Sequence, residues 1–123
     1  MLDLMKVITD RLKGSGQNIF FNVKSPNAVY PFTVFNLPNA SEGTNIYRED
    51  FTLEVDIWTK DSDECITMTN KIKDLMNRYK YLNDKIQVSF YVINRLNNIP
   101  DEDDQIKRSQ VRILAKTYDL GGI

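Results

Sequence analysis

The sequence predicts an α+β domain: a mainly antiparallel sheet of about five strands with two helices packed on one face. The predicted order is α-β-β-β-α-β-β, ending in a long C-terminal hairpin. Three observations carry this expectation. From Phe51 the chain alternates, with Phe51, Leu53, Val55 and Ile57 pointing one way and Thr52, Glu54, Asp56 and Trp58 the other; period two is the mark of a half-buried strand. At Asp61 the period changes, and Cys65, Met68, Ile72, Leu75, Met76 and Tyr79 recur at spacings of three and four, one face of a helix. Finally, two alternating stretches near the C-terminus are joined across Asn97–Gln105, NNIPDEDDQ, a turn with a dense acidic tip. A strand with one apolar face, running almost directly into a helix with one apolar stripe, buries both by folding the helix back onto the sheet.

The elements follow in order. Leu2–Lys13 reads as a helix, with Leu4, Met5, Ile8 and Leu12 on one face and Gly14-Ser15-Gly16 as its stop. Ile19–Val23 is a short strand ended by the turn residues Lys24-Ser25-Pro26-Asn27. Ala28–Leu37 is a second strand; Pro31 lacks an N–H donor, which places this strand at an edge or puts a bulge near its start. Pro38–Asn45 is a polar loop, and Tyr47–Lys60 carries the long central strand. Asp61 with Glu64 three residues on forms a capping box for the helix that follows, and both carboxylates sit at its positive end. Lys80–Lys85 breaks that helix, Ile86–Asn94 is a strand with Ile86, Val88, Phe90 and Val92 on one face, and Ile106–Tyr118 is the last, with Val111, Ile113 and Ala115 on one face.

The chain has 123 residues, which fits a single domain over 1–123. With 41% hydrophobic and 27% charged residues it has the composition of a soluble globular domain. Formal net charge is −1, so the basic excess that neutralises phosphates is missing and nucleic-acid binding is not expected. No apolar run approaches the roughly 18 residues of a membrane span, and the acidic N-terminus without a cleavage site does not read as a signal peptide. Cys65 is the one cysteine, so no internal disulfide forms and a reducing compartment is expected. Histidine is absent, which removes the commonest general base and the commonest zinc ligand.

No catalytic constellation emerges, and no catalytic residue, cofactor or metal site is expected. Ser–His–Asp and Cys–His pairings are impossible without histidine. Gly14-Ser15-Gly16 lacks the preceding strand and following lysine of a phosphate loop. Asp101-Glu102-Asp103-Asp104 lacks the glycine and distal glutamate of a calcium loop and reads as a solvated hairpin tip. Trp58, on the polar side of the central strand, either packs under the first helix or a loop or serves as an interface anchor. Phe20, Phe21, Tyr30, Phe32 and Phe35 resemble a stacking platform for single strands; with no basic excess around them they are assigned to the core.

The segment AVYPFTVFNLP, the polar loop, the run YREDFTLEVDIWTKDSDECITMTNKIKDLM and the final strand ending KTYDL together resemble the tail terminator (tail completion) proteins of long-tailed phages. The likeness is to the small tail-component proteins of phages and prophages of Gram-positive hosts, and it covers nearly the whole chain. It implies a structural virion assembly protein. Such proteins form a ring, commonly a hexamer, on the head-proximal end of the tail tube. They stop tube polymerisation and provide the head-joining surface. The implied partners are further copies of the chain, the tail tube protein and a head-completion or connector protein. The implied location is the virion tail, with the host cytoplasm during assembly. A head-side connector or a tail tube subunit is the alternative within the same class. A small α+β ligand-binding domain or enzyme is the alternative outside it, and an RNA-binding sheet is a further one that the charge disfavours.

Exposure and charge alone point to the interface candidates. The acidic cluster Asp101, Glu102, Asp103 and Asp104 is one surface, Lys107, Arg108, Arg112, Lys116 and Arg48 carry the opposite charge, and Trp58 is the apolar anchor. Rings use heterologous contacts, so two different surfaces of each subunit must match, and complementary charge would orient their encounter.

Overall fold

A computed structural model describes residues 2–22, 29–42, 48–100 and 103–120. Helix α1 spans Leu2–Lys13, strand β1 Ile19–Phe21, β2 Phe32–Glu42, β3 Arg48–Thr59, helix α2 Ser62–Met76, β4 Lys80–Leu82, β5 Ile86–Ile99 and β6 Lys107–Asp119. The strands form one six-stranded sheet in the order β1-β2-β3-β6-β5-β4. Four neighbouring pairs are antiparallel and β1 runs parallel to β2. The fold is thus α+β as the sequence predicts, but the sheet is mixed and has six strands instead of about five. The additional strand, β4, lies in the segment expected only to break the helix. Three residues are too few to show a period.

Period two places the core. Leu53, Val55 and Ile57 on β3 are fully buried, as are Val111, Ile113 and Ala115 on β6 and Val88 and Phe90 on β5. All face the same side of the sheet, because the register pairs Leu53 with Ile113 and Ala115 with Phe90. Over them lie Cys65, Met68, Ile72 and Met76 of α2, and Leu4, Val7, Ile8 and Leu12 of α1 pack into the same core. The Asp61 carboxylate caps α2 by accepting from the N–H groups of Asp63 (2.9 Å) and Glu64 (3.5 Å). Gly16, at φ +79°, sits in the left-handed region just past the end of α1, where glycine is unstrained. Arg11 of α1 donates to the Leu75 carbonyl at 2.9 Å and lies 4.0 Å from the Tyr79 ring, tying α1 to the C-terminal end of α2. That end carries orphan carbonyls and partial negative charge, so a guanidinium there is doubly favoured.

One polar seam crosses this core. Thr69 Oγ1 donates to the Cys65 carbonyl at 2.6 Å, so its hydroxyl must accept from Ser109, with which it is hydrogen-bonded. Ser109 Oγ in turn accepts from the Cys65 thiol at 3.6 Å. Each group thus spends its single proton once, and the chain closes on the helix backbone.

β2 departs most from expectation. It begins at Phe32, after Pro31, and continues through Pro38 to Glu42, where a polar loop was expected. Its register against β3 shifts between Asn36 and Asn39, across Pro38. The bulge therefore sits at the second proline and not near Pro31, because Pro38 cannot donate to the ladder. Nor is β2 an edge strand: β1 covers its first part. β5 likewise runs five residues beyond its expected end at Asn94. The expected turn at 24–27 falls outside the described residues.

Candidate interaction surface

Both helices occupy one face of the sheet, so the opposite face has no helix on it. The β3 register against β2 and β6 assigns side chains to that face in three groups. At the hairpin end, Phe32, Trp58 and Arg108 stand abreast on β2, β3 and β6. Phe32 and Trp58 stack at 5.8 Å between centroids with 13° between planes, and the Arg108 guanidinium carbon lies 3.8 Å from the Trp58 ring centroid. β2 and β6 flank β3, so both faces of the indole are covered from within the chain. Tyr30 lies 5.0 Å from Phe32, Phe20 meets it edge-on at 6.3 Å, and Lys60 Nζ is 5.1 Å from the Tyr30 ring. Phe32 is consequently only 1% exposed although it lies outside the main core. The cluster is a small second core on the helix-free face.

The middle of the face is polar and internally matched. Arg112 approaches Glu54 at 3.7 Å and donates to Gln110 at 3.0 Å, and Gln110 donates to Asp56 at 2.9 Å. At the far end Arg48 grips Asp50 through two parallel hydrogen bonds of 2.9 Å. The Asp50 carboxylate raises the arginine's pKa above its ordinary value. A raised cation pKa contributes favourably at every pH below the arginine's ordinary range, and that contribution is lost only in strong alkali. Arg48 also lies 5.8 Å from the Tyr118 ring, and Lys116 Nζ is 5.4 Å from that of Tyr91.

The expected interface residues therefore fall into two groups. Trp58, Asp103, Asp104, Lys107 and Arg108 lie at the hairpin end. Arg48 and Lys116 lie towards the other end of the strands, ten and eight residues along at about 3.3 Å each, and Arg112 lies between. Asp101 and Glu102 lie outside the described residues. Asp103 shapes the turn, accepting from the Gln105 and Ile106 N–H groups, and Lys107 donates to the Asp104 carbonyl at 2.9 Å. The cations expected to face a neighbour's acidic tip thus already have partners in their own chain. Trp58 does not pack under α1; Phe32 and Arg108 flank it on the helix-free face. The periodicity put it on the polar face; Phe32, the ring stacked on it, comes from β2, whose register no local pattern shows. Of the five aromatics assigned to the core, Phe35 lies in the main core and Phe32 is buried in the second cluster, while Phe21 is 42% exposed.

A groove of about 300 Å³ opens between α1 and the β4–β5 turn, lined by residues of both signs, among them Asp3, Lys6, Asp10, Asp84 and Lys85, beside Tyr79 and Tyr81. Among the described residues no group of three or more acidic, cysteine or histidine side chains is placed to hold a metal ion, and no helix is long and apolar enough to cross a membrane. No protein-family model matches the chain, and no curated protein matches it.

Proposed function

We propose that the chain is a structural assembly protein of a long-tailed phage or prophage: a ring-forming tail terminator that caps the tail tube, stops its growth and offers the surface that joins the head. The observation that supports this reading is the helix-free face of the sheet. It is spanned by strands of 11 to 14 residues and ordered along its length by the chain's own stacks and ion pairs. A surface rigid before any partner arrives loses little further side-chain entropy on docking. The two helices packed on the opposite face favour a terminator over a tube subunit. A head-side connector remains the competing assignment within the class.

The ring draws on the acidic hairpin tip as one contact and on the hairpin-end cluster around Trp58 and Arg108 as another. Exposed ion pairs contribute about 0–1 kcal/mol each, so isolated subunits associate weakly and gather on a finished tube end. Immunogold labelling of epitope-tagged copies in phage lysates tests the assignment. Label at the head-proximal end of the tail is expected; label along the tube, or confined to heads without tails, would replace the terminator with a tube subunit or a connector.

A further inference from the structure

We infer that the outer edge of β5 beyond β4 is a strand-addition site held shut by asparagine side chains, and that its occupant when opened is the same edge of a second copy of the chain. β4 covers β5 only over Gln87–Ser89, and Phe90 still exchanges backbone hydrogen bonds with Arg78 and Tyr79. Past that point β5 continues to Ile99 with β6 on its inner side, and among the described residues no strand lies on its outer side. A free edge is a template for another chain.

Here the template is stoppered. The outward N–H of Val92 is taken by Asn77 Oδ1 at 3.1 Å. The register then shifts between Val92 and Asn94, which moves the outward position to Arg95. Its N–H is taken by Asn94 Oδ1 at 2.7 Å. The Arg95 side chain is drawn over towards α2, donating to Asn97 Oδ1 at 2.8 Å and to Asn70 Oδ1. Four asparagines thus occupy the groups an incoming strand would use, or hold a charge beside them. This is a side-chain substitute for a neighbouring strand.

The segment behind the stoppers suits pairing with itself. Ile93–Ile99 carries one charge, Arg95, and Asn70 holds that charge to one side. Ile93 is 57% and Leu96 39% exposed, so apolar surface flanks the edge. Two such edges meeting antiparallel about a two-fold axis would bury both residues of each copy. The inference does not depend on the proposed function.

The test uses the full chain with Asn77→Ala and Asn94→Ala together, and with Asn94→Ala alone. Ile93→Cys is placed in each background and in the parent as the site for a short bis-maleimide; Cys65, the chain's other thiol, is buried. Circular dichroism and thermal melting establish that each variant is folded. Sedimentation should show self-association strengthened by about tenfold or more, with crosslinking through position 93 that the parent lacks. In the parent, hydrogen exchange at the Val92 and Arg95 amides should be slow. Folded variants that sediment like the parent would overturn the inference. So would association without crosslinking at position 93, or fast exchange at those two amides in the parent.

Discussion

Leu53 illustrates what one position can reveal. Alternation put it on the apolar face of β3, and in the structure it is fully buried against the face that α2 covers. Leu53→Ala should cost about 2–5 kcal/mol, from lost transfer energy plus the cavity left behind. Urea unfolding measures this, and an unchanged midpoint would put the strand phase one residue out. Phe32 is the converse case. Lying three residues apart on one strand, it and Phe35 point to opposite faces, and only Phe35 joins the main core. If the second cluster is a true core, Phe32→Ala should cost about 3–5 kcal/mol, as much as a substitution beneath the helices. A change below about 0.5 kcal/mol, the scale of an exposed site, would reduce the cluster to surface decoration.

At the scale of elements, what was legible had length and period. Both helices and the inner row of β3, β5 and β6 follow from spacing, and Asp61 marks the start of α2 because its carboxylate finds two free N–H groups. Asp61→Ala should cost about 1 kcal/mol, read as a lower melting temperature with the helix retained. The misread elements lacked either property. β4 has three residues, and the second half of β2 is polar, held by ladder pairs to β3 from Asn39 to Glu42 that no side-chain pattern announces. The docking of α2 on β6 rests partly on the Cys65–Ser109–Thr69 seam. Ser109→Ala leaves Thr69 short of a donor in a buried site and should cost about 1–3 kcal/mol, whereas Ser109 and Thr69 replaced together by alanine and valine should cost less than the sum of the single changes. Strict additivity in that cycle would mean the hydroxyls act independently.

At the scale of the whole molecule, the candidate surface was half legible. The sequence showed that Glu54, Asp56 and Trp58 share a face and that cations cluster in the last strand. The pairing of β3 with β6 was not legible. Register between strands 48 residues apart depends on the packed core, and it decides that Trp58 meets Arg108 and Glu54 meets Arg112. Cations expected to face a neighbour therefore also have partners in their own chain. Changing Asp101, Asp103 and Asp104 to Asn should leave melting behaviour unaltered and disturb tail length or head joining. Under the proposed assignment, deletion of the chain's gene from its phage or prophage, followed by electron microscopy of the lysate, tests the account most directly. The account predicts overlong tails without heads beside filled, tailless heads, with normal virions restored by a plasmid copy. Tails of normal length joined to heads in the deletion lysate would contradict it.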